Sequence, residues 1–337
     1  MKKFDIITFG SASQDIYLEA KDFQAVKGKK FITGEGICLA LGSKTEVKNA
    51  FFFSGGGGTN TAATFAKQGF KVSYCGMVGD DFAGDSIVKE LDNLKINTSL
   101  VKKTKEKSTN TSVFLVYPGK DRTLLVYRGA SDLLKRGDIP WQKIKDAKWF
   151  YLAPFSGGLA GLTEDIIDFA QKNAIRIAFN PGYSQLNFPE VKLKRILAKV
   201  DVLILNKEEA SKLSGIPYQK EREIFRKIDE YVRGIVIMTK GGAGVVVSDG
   251  NYLYRASSLE LKWVDPTGAG DAFGSGFISG IIKKNDIEYA IQIAMANSGF
   301  AITKWGAKEG LLGKDQKWKK VKVEKESCQL GNLCLPK

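Results

Sequence analysis

The chain has 337 residues, a formal net charge of +14, and 43% hydrophobic and 26% charged residues. That length suits one large α/β domain or two domains with a sizeable core, and the composition is ordinary for a globular protein. The lack of any long uncharged apolar run excludes a transmembrane helix, and the lack of any histidine excludes Ser-His-Asp and Cys-His catalysis and every His-bearing zinc site.

Any general base must therefore be a carboxylate, Lys, Tyr or Cys. The lysines are scattered rather than grouped with interleaved aromatics. A solvated surface is expected, not a nucleic-acid face, and the positive field would favour a small polyanionic substrate. The start, Met-Lys-Lys-Phe-Asp-Ile-Ile, is too soon charged for a signal peptide, so a cytoplasmic location is expected. Cys38, Cys75, Cys328 and Cys334 lack metal-ligand spacing. Cys328 and Cys334 could bridge, but in a cytosolic chain free thiols are expected.

In chain order, a buried strand begins at about Phe4 and runs into Gly10-Ser-Ala-Ser-Gln-Asp15. Residues 15–53 carry glycine, lysine and short β-like runs. Ser54-Gly-Gly-Gly-Gly-Thr-Asn60 follows, where glycines let the backbone turn tightly and approach a ligand. A helix over the next residues leads to an apolar strand at 72–78 and then to Gly76-Met-Val-Gly79-Asp80-Asp81-Phe-Ala-Gly84. Residues 111–117 and 123–128 read as a hairpin around Pro118-Gly-Lys-Asp121. Apolar strands at 149–152, 175–179, 202–205 and 235–238 alternate with helical patterns such as 161–172 and 221–231. This alternation predicts a mostly parallel central sheet with helices on both faces. Ligands of such sheets bind beyond the carboxyl ends of the strands. The two interrupting segments predict a small β-lid.

Asp265-Pro-Thr-Gly-Ala-Gly-Asp271-Ala-Phe273 opens a helix whose apolar face is Ala272, Phe273, Phe277, Ile278 and Ile281. Backbone N–H groups at a helix start point at whatever lies in front, and small residues let an anion come close. Asp271 would repel that anion unless it takes a proton from a nucleophile attacking it. An anion cradle plus an adjacent base is what phosphoryl transfer to a hydroxyl requires. Taken alone, Asp271 could equally be an acidic first-turn residue that favours the helix dipole.

This nonapeptide, together with the motif at 55–62 and the one at 76–84, resembles the two signatures of the PfkB, ribokinase-like, carbohydrate kinases. The resemblance runs from about Phe4 to about Ala307. It implies a ribokinase-like α/β core over 1–14, 54–110 and 129–313, a β-lid over 15–53 and 111–128, and a basic tail over 314–337, expected to be poorly ordered. It also implies ATP, magnesium and a sugar or nucleoside acceptor. Asp271 would be the base, with the amides of Gly268, Ala269 and Gly270 as anion hole. Asp15, Asn60 and the backbone of Gly56, Gly57 and Gly58 would bind the acceptor; Gly57 stands where ribokinases often have lysine. Asn206 and Glu209 would reach magnesium through water. Thr239, Gly241, Gly242 and Gly244 would border the phosphates and ribose, and Asn297, Gly306 and Ala307 the adenine. Asp265 and Thr267 match positions that in many relatives help hold a monovalent cation such as K+. Arg128, at the end of the second lid strand, is offered as a contact to an acceptor carboxylate or phosphate. A sugar-acid or sugar-phosphate kinase, or a non-catalytic sensing module, stays open as an alternative. So does a homodimer through the lid.

Overall fold

A computed structural model describes residues 2–20, 23–29, 31, 34–117 and 122–328. Residues 118–121, the expected hairpin turn, lie outside these. The frame is a ten-stranded sheet. From Ile235–Thr239 through Val202–Asn206, Arg176–Phe179, Ala147–Leu152, Phe4–Phe9 and Val72–Gly79 to Val101–Thr104, every neighbour is parallel. Side chains on a strand alternate between faces, and both faces of this sheet are covered. Phe150 and Leu152 enter one apolar cluster, whereas Trp149 and Tyr151 enter the other. That is why these strands read as unbroken hydrophobic runs.

Val245–Ser248, Tyr252–Ala256 and Val323–Ser327 extend the sheet antiparallel. The last of these corrects the expectation of a poorly ordered tail for its described part. Val-Glu-Lys-Glu-Ser alternates like an edge strand but reads as polar surface. It is held by the backbone ladder, by Arg255 on Glu326 at 2.8 Å, and by Lys325 over the Tyr252 ring at 4.1 Å. Charged edges of this kind also discourage pairing with other chains. Cys38 and Cys75 are free. Cys328 is in a disulfide, against the expectation of free thiols throughout.

A separate four-stranded sheet is ordered Asn49–Gly55, Ser13–Glu19, Asn110–Val116, Arg122–Tyr127. It comes from the two segments that interrupt the α/β alternation, and it starts or stops a residue or two outside the expected ranges. Gln24–Lys27 and Glu35–Cys38 form a hairpin of their own. The small sheet is joined to the main one at its site end, because Ser13 follows the first strand closely and Gly55 runs directly into the helix Gly57–Lys67.

Candidate active site

Two helix starts meet beyond the carboxyl ends of the parallel strands. Gly57–Lys67 begins after Gly56, and Ala269–Lys284 begins after Gly268. Gly268 has φ 74°, a left-handed conformation, and a Cβ there would lie 2.5 Å from the Ala307 Cβ. Only glycine fits. The first intrahelical bond runs from Ala272 N–H to Gly268 O at 2.8 Å. Of the preceding amides, Ala269 N–H donates to Pro266 O at 3.2 Å, which leaves those of Gly270 and Asp271 at the helix start as the candidates for an anion cradle.

Asp271 sits in that first turn. Asn60 Nδ2 donates to its Oδ2 at 2.9 Å, so the two motifs are brought together by a direct bond. Asn60 Oδ1 is buried without a partner. Burial pushes the Asp271 carboxyl above the ordinary 3.8, and nearby Asp15 pushes the same way, while Asn60 and Lys308 oppose. The Tyr151 hydroxyl is also buried without a partner, and the Asp271 charge adds to the burial that raises it. Gly57 stands against Asp271: a Cβ there would meet its Oδ1 at 3.3 Å.

Asp15 lies on the second strand of the chain, Ser13–Glu19, and is 4% exposed. Ser13 Oγ donates to its Oδ1 at 2.8 Å. Burial raises its carboxyl too. Gly55 must be glycine, since a Cβ there would be 2.0 Å from Asp15 Oδ2. The sequence reading missed Lys308. It is 4% exposed, lies 3.5 Å from Glu90, and bonds Ser54 Oγ. Its ammonium is pushed down by burial and supported by Glu90 and Asp15. Nothing local in the sequence marks it, because a lysine two residues past Gly306 reads as surface. A cavity of about 150 Å³ is lined by Gln14, Phe53, Ser54, Glu90 and Lys308 among others.

A larger cleft of about 1200 Å³ runs from Thr239, Gly241, Gly242 and Gly244 to Ala269 and Gly270. Its far wall includes Leu261, Trp263, Met295, Ser298, Gly299 and Ile302. Asn297 is not among them, which corrects its expected place. It is fully buried, donates to Ala272 O at 2.7 Å and Thr64 Oγ1 at 3.1 Å, and accepts from Leu312 N–H at 2.8 Å. It ties helices together. Gly306 and Ala307 line the small cavity instead and sit beneath Gly268.

Asn206 and Glu209 cap their helix reciprocally. Glu209 N–H donates to Asn206 Oδ1, and Asn206 N–H donates to Glu209 Oε2, both at 2.8 Å. Such a box satisfies two orphan donors, so one Glu209 oxygen serves structure. Burial raises the Glu209 carboxyl. Among the described residues no three acidic, Cys or His groups cluster as a metal cage. A single carboxylate plus an amide fits magnesium, which keeps most of its waters and is held largely by substrate phosphates.

Arg128 is exposed at the end of the small sheet where Thr111 pairs with Tyr127 and with Gln14, on the Asp15 side. Arg122, at the other end of that strand, reaches inward. Its Nη2 donates to Thr267 Oγ1 at 3.0 Å and lies 3.7 Å from Asp265 Oδ1.

The model of the pfkB family carbohydrate kinases matches residues 10–312, and the chain belongs to that family. It is thus a kinase of the sugar and nucleoside kinase group. It is 30% identical over 265 residues to the ribokinase of Lactococcus lactis, covering 76% of this chain and 82% of that one. It is 26% identical over 317 residues to the ATP-dependent 6-phosphofructokinase of Thermoanaerobacterium thermosaccharolyticum, covering 91% and 90%. An E. coli protein assigned as ribokinase II, solved with ATP and Mg2+, superimposes with a TM-score of 0.76 over 92% of this chain and 96% of that one, at 21% identity. The fold is therefore ribokinase-like.

Proposed function

We propose that this chain transfers the γ-phosphoryl group of ATP to a hydroxyl of a neutral sugar or nucleoside, with Asp271 taking the hydroxyl proton. The observation that carries the reading is the Asp271 environment. A carboxylate with a raised pKa stands in the first turn of a helix whose start offers amides to an anion, and Asn60 holds it in place. A carboxylate of raised pKa is a better base than an exposed one. The amides of Gly270 and Asp271 offset charge developing on the transferring group. Buried Asn60 Oδ1 offers an acceptor for an incoming hydroxyl. Magnesium, when bound near Asn206 and Glu209, would neutralise phosphate charge. Thr239 and Gly241 through Gly244 border the phosphates, and the cleft beyond them takes ribose and base.

Asp15 orients vicinal hydroxyls, since an ionised carboxylate accepts from both. The small cavity holds Lys308, but Glu90 pairs with it, and Asp15 and Asp271 lie near. Carboxylates outnumber cations there, which disfavours an anionic acceptor. One observation favours the other reading: a relative named for a sugar-phosphate substrate is 26% identical, and Lys308 is the cation it would use. The four-stranded sheet with its hairpin acts as the lid, shutting out water that would compete as acceptor. Its outer face shows Phe52 and Leu125, which suits a homodimer through the lid. A chain that spends ATP without a membrane-spanning helix among its described residues fits the cytoplasm.

The test is ADP release with a panel of ribose, fructose, adenosine, cytidine, 2-keto-3-deoxygluconate and fructose 6-phosphate. Turnover of neutral members is expected. Turnover of the charged members alone would move specificity to Lys308.

A further inference from the structure

We infer that the Arg122 guanidinium stands where a monovalent cation would sit beside the anion hole, so that this chain supplies that positive charge from its own lid and needs no potassium. The inference rests on the kinase reading above, and it concerns the Asp265–Thr267 pair just before the cradle.

Asp265 is 1% exposed. Its Oδ1 accepts from Thr267 N–H at 3.0 Å and Thr267 Oγ1–H at 2.7 Å. Its Oδ2 accepts from the Tyr17 hydroxyl at 2.8 Å and from Gly306 N–H at 3.3 Å. An ionised carboxylate offers about four lone-pair positions, and these bonds use them. The Thr267 hydroxyl, having given its proton to Asp265, accepts from Arg122 Nη2 at 3.0 Å. The single negative charge of Asp265 already has a permanent positive charge 3.7 Å away. A bare cation would have to strip ligands from a satisfied carboxylate and share the space with a guanidinium. The residues do not fit a bound monovalent ion.

The guanidinium is not a stray surface group. Its side chain is 23% exposed, and it packs over the Phe114 ring at 5.8 Å. Phe114 stacks on Tyr17 at 4.2 Å with the rings 2° from parallel. Tyr17, Phe114 and Arg122 come from three adjacent strands of the small sheet. Tyr17 and Arg122 meet the Asp265–Thr267 pair, with Phe114 packed against both, so the charge travels with the lid. Arg122 is a positioning residue: it touches Thr267, which leads directly into the Gly268 turn.

The experiment compares KCl with choline chloride at equal ionic strength. Turnover, ATP affinity by calorimetry and thermal unfolding are read for the wild type and for Arg122→Ala. The wild type should give the same turnover, affinity and melting temperature in both salts. Arg122→Ala should lose roughly 10- to 100-fold in kcat/KM in choline, the range for a lost hydrogen bond to a charged group. KCl should restore part of that loss and raise its melting temperature. A wild type that is activated or stabilised by KCl over choline overturns the proposal. So does an Arg122→Ala protein impaired equally in both salts, which would make the arginine a packing contact only. If Arg122→Ala does not fold, Arg122→Lys replaces it: retained indifference to KCl supports the fixed charge, and acquired dependence on potassium overturns it. If no acceptor is phosphorylated, the kinase reading fails, while calorimetry and unfolding still decide the cation question.

Discussion

Asp271 carries the sharpest expectations at the residue scale. On the proposed reading, Asp271→Asn keeps the shape of the site and removes the base, so turnover should fall on the order of 10²–10⁴-fold with ATP affinity retained; steady-state rates and calorimetry check both. Its pH behaviour has a definite sign. The folded state holds the Asp271 proton more tightly than the unfolded chain does, because burial raises the carboxyl above 3.8. That contribution to stability is present below the unfolded value and is lost as pH rises through the folded one. Above the folded value the wild type therefore bears a buried ionised carboxylate that Asp271→Asn lacks. The variant should gain melting temperature over the wild type as pH rises through the folded value, and the difference should vanish in acid; melting curves across pH read it out. Glu209→Gln is informative because a glutamine still closes a capping box. The helix should survive while the magnesium concentration needed for half-maximal rate rises, measured by magnesium titration. An unchanged requirement would leave Glu209 with capping alone.

Element contacts set what the sequence could and could not reveal. The glycine motif and the Asp271 turn were legible because both are contiguous: small residues, then a helical apolar face, in a few positions. Asn297 was misplaced because its partners, Ala272, Thr64 and Leu312, belong to three distant segments. A polar residue in a buried helix reads as a ligand contact when its structural partners are unknown. Asn297→Ala should remove three hydrogen bonds and cost about 3 kcal/mol by the usual ~1 kcal/mol each, seen as a lower denaturant midpoint. Arg122 and Arg128 lie on one strand, and sequence alone could not say which end faced the site. Val116 pairs with Arg122, and Thr111 pairs with both Tyr127 and Gln14, so the Arg122 end meets the Asp265–Thr267 pair while the Arg128 end lies on the Asp15 side. The small sheet itself should exchange its amides faster without ligand and slower with acceptor bound. Hydrogen exchange over 13–19, 49–55 and 110–116 measures this, and equal exchange in both states would contradict a closing lid.

At the scale of the whole molecule, alternation of strand and helix was enough to read the parallel sheet, because buried strands are apolar on both faces. The antiparallel edge was not legible, since Val323–Ser327 is a strand by virtue of its neighbour Tyr252–Ala256 and not of its own composition. The bond from the Tyr17 hydroxyl to Asp265 joins residues 248 apart in sequence, and Asn60 and Asp271 are 211 apart. Loops of that length close late in folding, after local contacts have formed. A fragment that has acquired its first strands but not its last helices thus owns half of each pair and neither binding surface. Nucleotide can stabilise only the finished chain, so adding it during refolding should draw material forward from partly folded states without helping those states to persist. The same separation makes the site a proofreader of its own assembly: catalytic competence appears only once the two ends of the polypeptide have found each other.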